Sequence, residues 1–313
     1  MSRNSIRMSV SERTLKSGLT LLAVHNPGVQ TYACVVSLDT RVADDPAGMP
    51  GVANMVGETL DEGTSRYDAL ELASAAESLG AALEGNYRGG MIMCPAPSQK
   101  KATELLREMV LEPSFPGREV RRVQSEVLTE MQAELDDPRT VAAQRFRRRI
   151  YGDHVLGRSL QGTLESGAAV KPKHLRDYHR QWFRPRGGYV AVSGPFEPEQ
   201  MLDQLERAFR GLRGSAPEHA AYPAVELGAA SEEHIAMPRE QVHVFLGHLG
   251  VRRSDPDFYE LSVMDHILGS GPGFTSRCSR RLRDEMGLCY SVSAGISSRR
   301  FPTVASAMST YRA

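Results

Sequence analysis

Hydrophobic positions along the chain switch between strand and helix periods. Thr20 to His25 (TLLAVH) and Thr31 to Leu38 (TYACVVSL) are runs of β-branched and apolar residues, with Pro27-Gly28 marking a turn between them. Gly51 to Leu60 (GVANMVGETL) has helical period, with Val52, Met55, Val56 and Thr59 on one face. A second helix is predicted from about Ser65 to Leu79, capped by Thr64 or Ser65 and stopped by Gly80. Leu83 to Cys94 reads as strand. Ser98 is expected to cap a helix that turns Leu105, Leu106, Met109 and Val110 inward and ends at Pro113. The cleanest stripe, Val120, Val123, Val127, Met131 and Leu135, predicts a helix from about Arg118 to Leu135. Glu130 falls toward its apolar face. Either it meets a partner there, or the helix edge lets it reach water; the pattern leaves both open.

Helical signal continues over Val141 to Arg149 and His174 to Phe183, then a buried-type strand at Tyr189 to Ser193 and a helix from Pro198 to Arg210. Gly211 to Pro223 (GLRGSAPEHAAYP) is small, polar and rich in Pro and Gly, the pattern of a linker. After it the order restarts. Strands at His234 to Ala236 and Val242 to Gly247 lead to helices at Tyr259 to Leu268 and Ser276 to Met286, then strands at Cys289 to Ala294 and Thr303 to Thr310. A strand-strand-helix opening in both halves predicts a duplicated α+β architecture, with domains at residues 1–215 and 216–313.

The chain has 313 residues, 41% hydrophobic and 24% charged, enough to bury full cores in two domains. Its formal net charge of zero argues against nucleic acid or an anionic membrane as partner, since both require a basic surface. The basic run Arg145 to Arg149 reads as a solvated helix face. The first residues lack the apolar core of a secretory signal, and no segment approaches the ~20 apolar residues of a membrane helix. Cys34, Cys94, Cys278 and Cys289 have no metal-type pairing and read as reduced thiols, so a cytoplasmic location is expected.

Four stretches resemble the insulinase/pitrilysin family of zinc metallopeptidases, in its bacterial and mitochondrial-processing-type branch. They are TLKSGLTLLAVHNPG, EVRRVQSEVLTEMQAELDDP, YGDHVLGRSLQGT with HLRDYHRQWFRPRGGYVAVSG, and LGSGPGFTSRCSRRLRDEMGLCYSVSA. The resemblance implies two related α+β domains, an N-terminal peptidase-like one and a C-terminal one. Each would be an antiparallel sheet packed with helices. Family members usually continue about a hundred residues further, so the second domain is expected to be incomplete.

Family catalysis uses H-x-x-E-H on a helix: two His at i and i+4 bind zinc, the Glu is general base, and a distant Glu completes the ligands. The resemblance places these positions in GVANMVGETLDEGT. The first His is replaced by Asn54, the base by Gly57 and the second His by Glu58, and the distant ligand survives as Glu130. No metal is expected to bind here. An oxygen set of Asn54, Glu58 and Glu130 would suit a hard cation better than zinc. The family's substrate-holding Asn on the edge strand corresponds to Glu84, and Gly85, Gly89 and Gly90 are expected to loosen that edge. Retained are Arg283 and Tyr290, matching the pair that donates hydrogen bonds to substrate and oxyanion. Read from periodicity alone, they would be a surface charge and a strand-core residue. The resemblance therefore implies a non-catalytic subunit of a heterodimeric zinc peptidase. It would have no cofactor of its own, zinc only in the catalytic partner, a peptide as substrate, and neither nucleic acid nor membrane as partner. A scaffold subunit and an active metalloendopeptidase with an atypical metal are the alternatives.

Overall fold

The computed structural model describes residues 10–222, 225, 228–271 and 273–296, and the backbone of 304–312. They group into two compact units, residues 1–129 with 160–220, and residues 130–159 with 221–313.

The first unit is built on six strands: β1 (Val10–Thr14), β2 (Thr20–His25), β3 (Thr31–Ser37), β4 (Ala82–Asn86), β5 (Gly89–Pro95) and β6 (Tyr189–Gly194). Their order is β1-β2-β6-β3-β5-β4. The sheet departs from the expected antiparallel form at one pair, β2 with β6, which run parallel with Leu21 opposite Val190. Period-two alternation buries Leu21, Ala23, Tyr32, Cys34, Val36, Ile92, Val190 and Val192 on one face. Burial pushes the Cys34 thiol up to about 12, which leaves it an unreactive core residue.

The helices are α1 (Val52–Gly57), α2 (Ala69–Ser78), α3 (Gln99–Leu111), α4 (Gly117–Glu134), α5 (Pro138–Tyr151), α6 (Leu164–Ala169), α7 (Pro172–Trp182), α8 (Pro198–Phe209) and α9 (Phe258–Asp265). Helices α3 and α8 cover the apolar face of the sheet, burying Leu106, Met109, Leu202, Leu205 and Phe209. The buried Tyr32 hydroxyl is satisfied by Thr103 of α3 at 2.6 Å.

Several local expectations are corrected. Leu83 to Cys94 is not one strand but the β4–β5 hairpin, with Gly85 opposite Gly90. Helix α2 starts later than predicted because Asp68 and Glu71 close a capping box there, which Thr64 and Ser65 do not. Ser98 makes no side-chain cap bond to α3. His234 to Ala236 forms no strand. Strand β1 and helix α6 have no apolar stripe strong enough to be read from sequence.

The second unit pairs β7 (Gln241–Leu249), β8 (Cys289–Ile296) and β9 (Val304–Arg312) in the antiparallel order β7-β9-β8. Residues 130–159 group here because α5 packs on β7, with Phe146 and Phe245 rings 6.0 Å apart. Helix α9 runs into a π-helical turn at His266–Ser270, and a second π-helical turn covers Ser279–Glu285.

Candidate functional site

The degenerate motif lies on α1. Gly51 precedes it with φ +98°, and the N–H groups of Gly51 and Ala53 donate to the Asp45 carboxylate at 2.7 and 2.6 Å. Asp45 thus satisfies two of the orphan donors at the helix start, a role the sequence did not reveal. Val52, Ala53, Met55 and Val56 are buried, which fixes how the helix is rotated. The Glu58 N–H donates to the Asn54 carbonyl at 2.9 Å, so positions 54 and 58 are successive on one helix face. Asn54 is half-buried and Glu58 exposed.

Gly57, at the base position, is buried against the tip of the β4–β5 hairpin. A Cβ there would stand 2.4 Å from the Tyr87 nitrogen, 2.6 Å from the Asn86 carbonyl carbon and 2.9 Å from the Asn86 Cα. A Cβ on Gly85 of β4 would in turn meet the Gly57 carbonyl oxygen at 2.7 Å. Every clashing atom is backbone, so no rotamer change relieves it. The hairpin tip is itself held. Thr40 donates to the Tyr87 carbonyl at 2.6 Å, the Leu38 N–H to the Arg88 carbonyl at 2.7 Å, and the Arg88 N–H to the Asn86 side chain at 2.8 Å. The glycines expected to loosen this edge do the opposite. Gly85 permits the close approach of α1, and Gly90 is covered by Met109, whose methyl group would stand 2.5 Å from an added Cβ.

The charged side chains that directly follow α1, Glu58, Asp61 and Glu62, are carboxylates. Burial raises the Asp61 carboxyl above its usual range, and the charges of Glu62 and Glu58 raise it further. Arg122 of α4 pairs with Glu62, with Glu119 at 3.0 Å and with Glu126 at 2.9 Å. The first unit's early histidine, His25, donates through Nδ1 to the Phe196 carbonyl at 2.7 Å. Among the described residues, no three His, Cys, Asp or Glu side chains group as a metal site. The zinc that the family resemblance implies therefore does not fit the residues present: the base position is closed by backbone, and two ligand positions hold Asn54 and Glu58. Of the two readings left open for Glu130, the structure has the one facing water. Glu84 is exposed on β4, which is an edge strand as expected.

In the second unit, Arg283 sits in the turn Ser279–Glu285, with its guanidinium carbon 3.6 Å from the centroid of the Phe274 ring. That cation–π contact fixes the fork's plane. Its near carboxylate is Asp284, at 3.7 Å. The turn is anchored by Ser276, which donates to Ser279 Oγ at 2.9 Å and accepts from the Ser279 N–H at 3.2 Å. The preceding turn, His266–Ser270, rests on β8 at Gly269, where a Cβ would meet the Ala294 nitrogen at 2.1 Å. Tyr290 is the second residue of β8. Pairing of β8 with β9 slips between Cys289 and Ser291, so Tyr290 is the extra residue of a β-bulge. A bulge re-aims a side chain, and Tyr290 is 86% exposed, which rules out the strand-core alternative for it. Sequence reasoning missed Tyr87, Phe274 and Arg122. Phe274 carried a signal, as an apolar residue in the glycine-rich turn GPGF.

Known proteins resemble this chain over most of its length. Residues 20–164 match the model of the insulinase family, peptidase family M16, and residues 169–309 match that of the peptidase M16 inactive domain. An uncharacterized zinc protease of Mycobacterium leprae is 29% identical over 90% of this chain and 65% of its own length. One of Streptomyces coelicolor is 25% identical over 91% of this chain and 64% of its own length. The chain thus spans slightly less than two thirds of these relatives. The crystal structure of a peptidase M16 inactive domain from Pseudomonas fluorescens shares the fold with a TM-score of 0.90 at 23% identity, covering 97% of this chain and 75% of that one. A protease structure from Helicobacter pylori does so at 0.85 and 17% identity, with the same coverage of both chains. No described helix is long and apolar enough to cross a membrane.

Proposed function

We propose that this chain, which belongs to the insulinase (peptidase M16) family, is a non-catalytic partner of a zinc-bearing subunit and contributes Arg283 and Tyr290 to that subunit's site. The observation that carries the reading is Gly57. Hydrolysis by this family's chemistry needs a carboxylate base at that position, and here hairpin backbone occupies the space a side chain would need. With Asn54 and Glu58 beside it, the chain has neither a base nor a nitrogen ligand on α1.

Arg283 and Tyr290 remain suited to a supporting role. A guanidinium held against Phe274 is a hydrogen-bond donor oriented in advance, and a phenol set outward by a bulge is a donor open to a partner. Donors fixed in advance stabilise charge that develops on a reacting carbonyl oxygen. In this reading the substrate is a peptide, the metal and base belong to the partner subunit, and Glu84 on the β4 edge stands where substrate backbone docks. The four free thiols support assembly in the cytoplasm. The test is a peptidase assay on a zinc-bearing family member with and without this chain. Turnover should rise on mixing and fall again with Tyr290→Phe in a complex that still forms. Unchanged turnover with the variant would leave the chain as a scaffold.

A further inference from the structure

Five arginines of the first unit converge on one cavity of about 510 Å³. Arg107 comes from α3, Arg176 and Arg180 from α7, Arg184 from just beyond α7, and Arg213 from the segment after α8. The one carboxylate in the lining is Glu112. The floor is aromatic: the His179 ring lies 5.8 Å from Phe115 and 4.4 Å from Phe183. His179 is neutral, because burial holds it down at about 4, and its Nε2–H donates to the Val110 carbonyl at 2.8 Å. An aromatic, low-dielectric floor beneath a cationic rim focuses the field into the cavity.

The local partners do not use up these cations. Arg107 donates to Glu112 at 2.6 Å and Arg180 to Asp177 at 3.2 Å. Arg176 reaches the carbonyls of Ser114 and Phe115 at 3.4 and 3.3 Å, and Arg184 the carbonyl of Arg213 at 3.2 Å. Among the described residues, Arg176, Arg184 and Arg213 form no ion pair, and each guanidinium has five N–H donors. Arg176 and Arg180 also stand at i and i+4 on α7, where like charges destabilise a helix. The helix dipole favours cations at the end of α7, but that accounts for neither Arg107 nor Arg213, which arrive from other elements. The chain's net charge is zero, so this is a local concentration.

We propose that the cavity binds a small phosphate-bearing anion, whose charge the guanidinium forks neutralise bidentately above the aromatic floor. The site shares no residue with positions 54–58, 84, 283 or 290, and it stands whether or not the chain has a catalytic partner.

Inorganic pyrophosphate is the probe, titrated calorimetrically into the wild-type chain, Arg180→Gln/Arg213→Gln, and the control Arg147→Gln/Arg148→Gln, which removes equal charge from exposed positions on α5. Saturable binding is expected in the wild type and control. The cavity variant should bind about tenfold or more weakly for each guanidinium removed. Added salt should weaken the wild-type affinity. Should the double variant unfold, Arg213→Gln alone repeats the comparison at an exposed side chain. No saturable binding, equal weakening in variant and control, or tighter binding of an acidic peptide than of pyrophosphate would each overturn the assignment.

Discussion

Gly57→Ala sets two effects of opposite sign against each other. Helix propensity alone favours alanine over glycine by about 1 kcal/mol. Overpacking a well-filled site costs about 1–3 kcal/mol. Here the added Cβ would meet three backbone atoms at 2.4, 2.6 and 2.9 Å. None belongs to a side chain that could swing away, and the hairpin tip is tied by Thr40 and Leu38. The cost therefore lies at the upper end of that range, and the variant should lose about 1–2 kcal/mol net. For a domain of this size that is a fall in Tm of about 2–8 °C, read by circular dichroism. Gly117→Ala, at the start of α4, is the matched control. Its Cβ would meet only the Arg121 Nη1 at 3.5 Å and the Pro172 Cγ at 4.0 Å, so its Tm should hold or rise slightly. Gly57→Glu should fall further than Gly57→Ala, because it also buries a carboxylate. A Gly57→Ala protein as stable as the wild type would refute the packing argument, and the base position would then be open.

Asn54→His with Glu58→His, leaving Gly57 in place, should create measurable Co²⁺ or Zn²⁺ affinity, since the pair shares one helix face; adding Gly57→Glu should lower Tm and give no peptidase activity. In the mixed complex, Arg283→Ala or Tyr290→Phe should lower turnover about a hundredfold while assembly persists, as loss of one preorganised donor does; Tyr290→Phe, at an exposed phenol, should leave Tm unchanged. His179 is held near 4 in the folded chain, against 6.5 for the free group, so the unfolded chain binds the extra proton between those values. Stability should therefore be lost as pH falls from 6.5 to 4, by about 3 kcal/mol, and His179→Gln should flatten that slope in urea titrations across the window.

The architecture was legible where one face of an element is apolar. Strands β2, β3 and β6 and helices α4 and α8 follow stripes such as Val120, Val123 and Val127, and the restart after the linker announced a second sheet. The β4–β5 hairpin was not legible, because its turn at Tyr87-Arg88 carries no glycine and the glycines after it serve close packing. Loss of the base at Gly57 could be seen in the sequence. Closure of that position could not, since the closing atoms belong to Asn86 and Tyr87 on another element. Tyr290 shows the same limit: alternation predicts a strand residue, and the bulge that turns it outward depends on pairing with β9. The arginine cavity draws on α3, α7 and the segment after α8, whose convergence no local pattern records.

Metal analysis of the purified chain, coupled to a peptide-hydrolysis assay before and after chelation, tests the central claim most directly. The closed Gly57 position predicts no stoichiometric zinc and no chelator-sensitive hydrolysis from this chain alone. One equivalent of zinc, whose removal abolishes a peptidase activity that Gly57→Ala also alters, would contradict it.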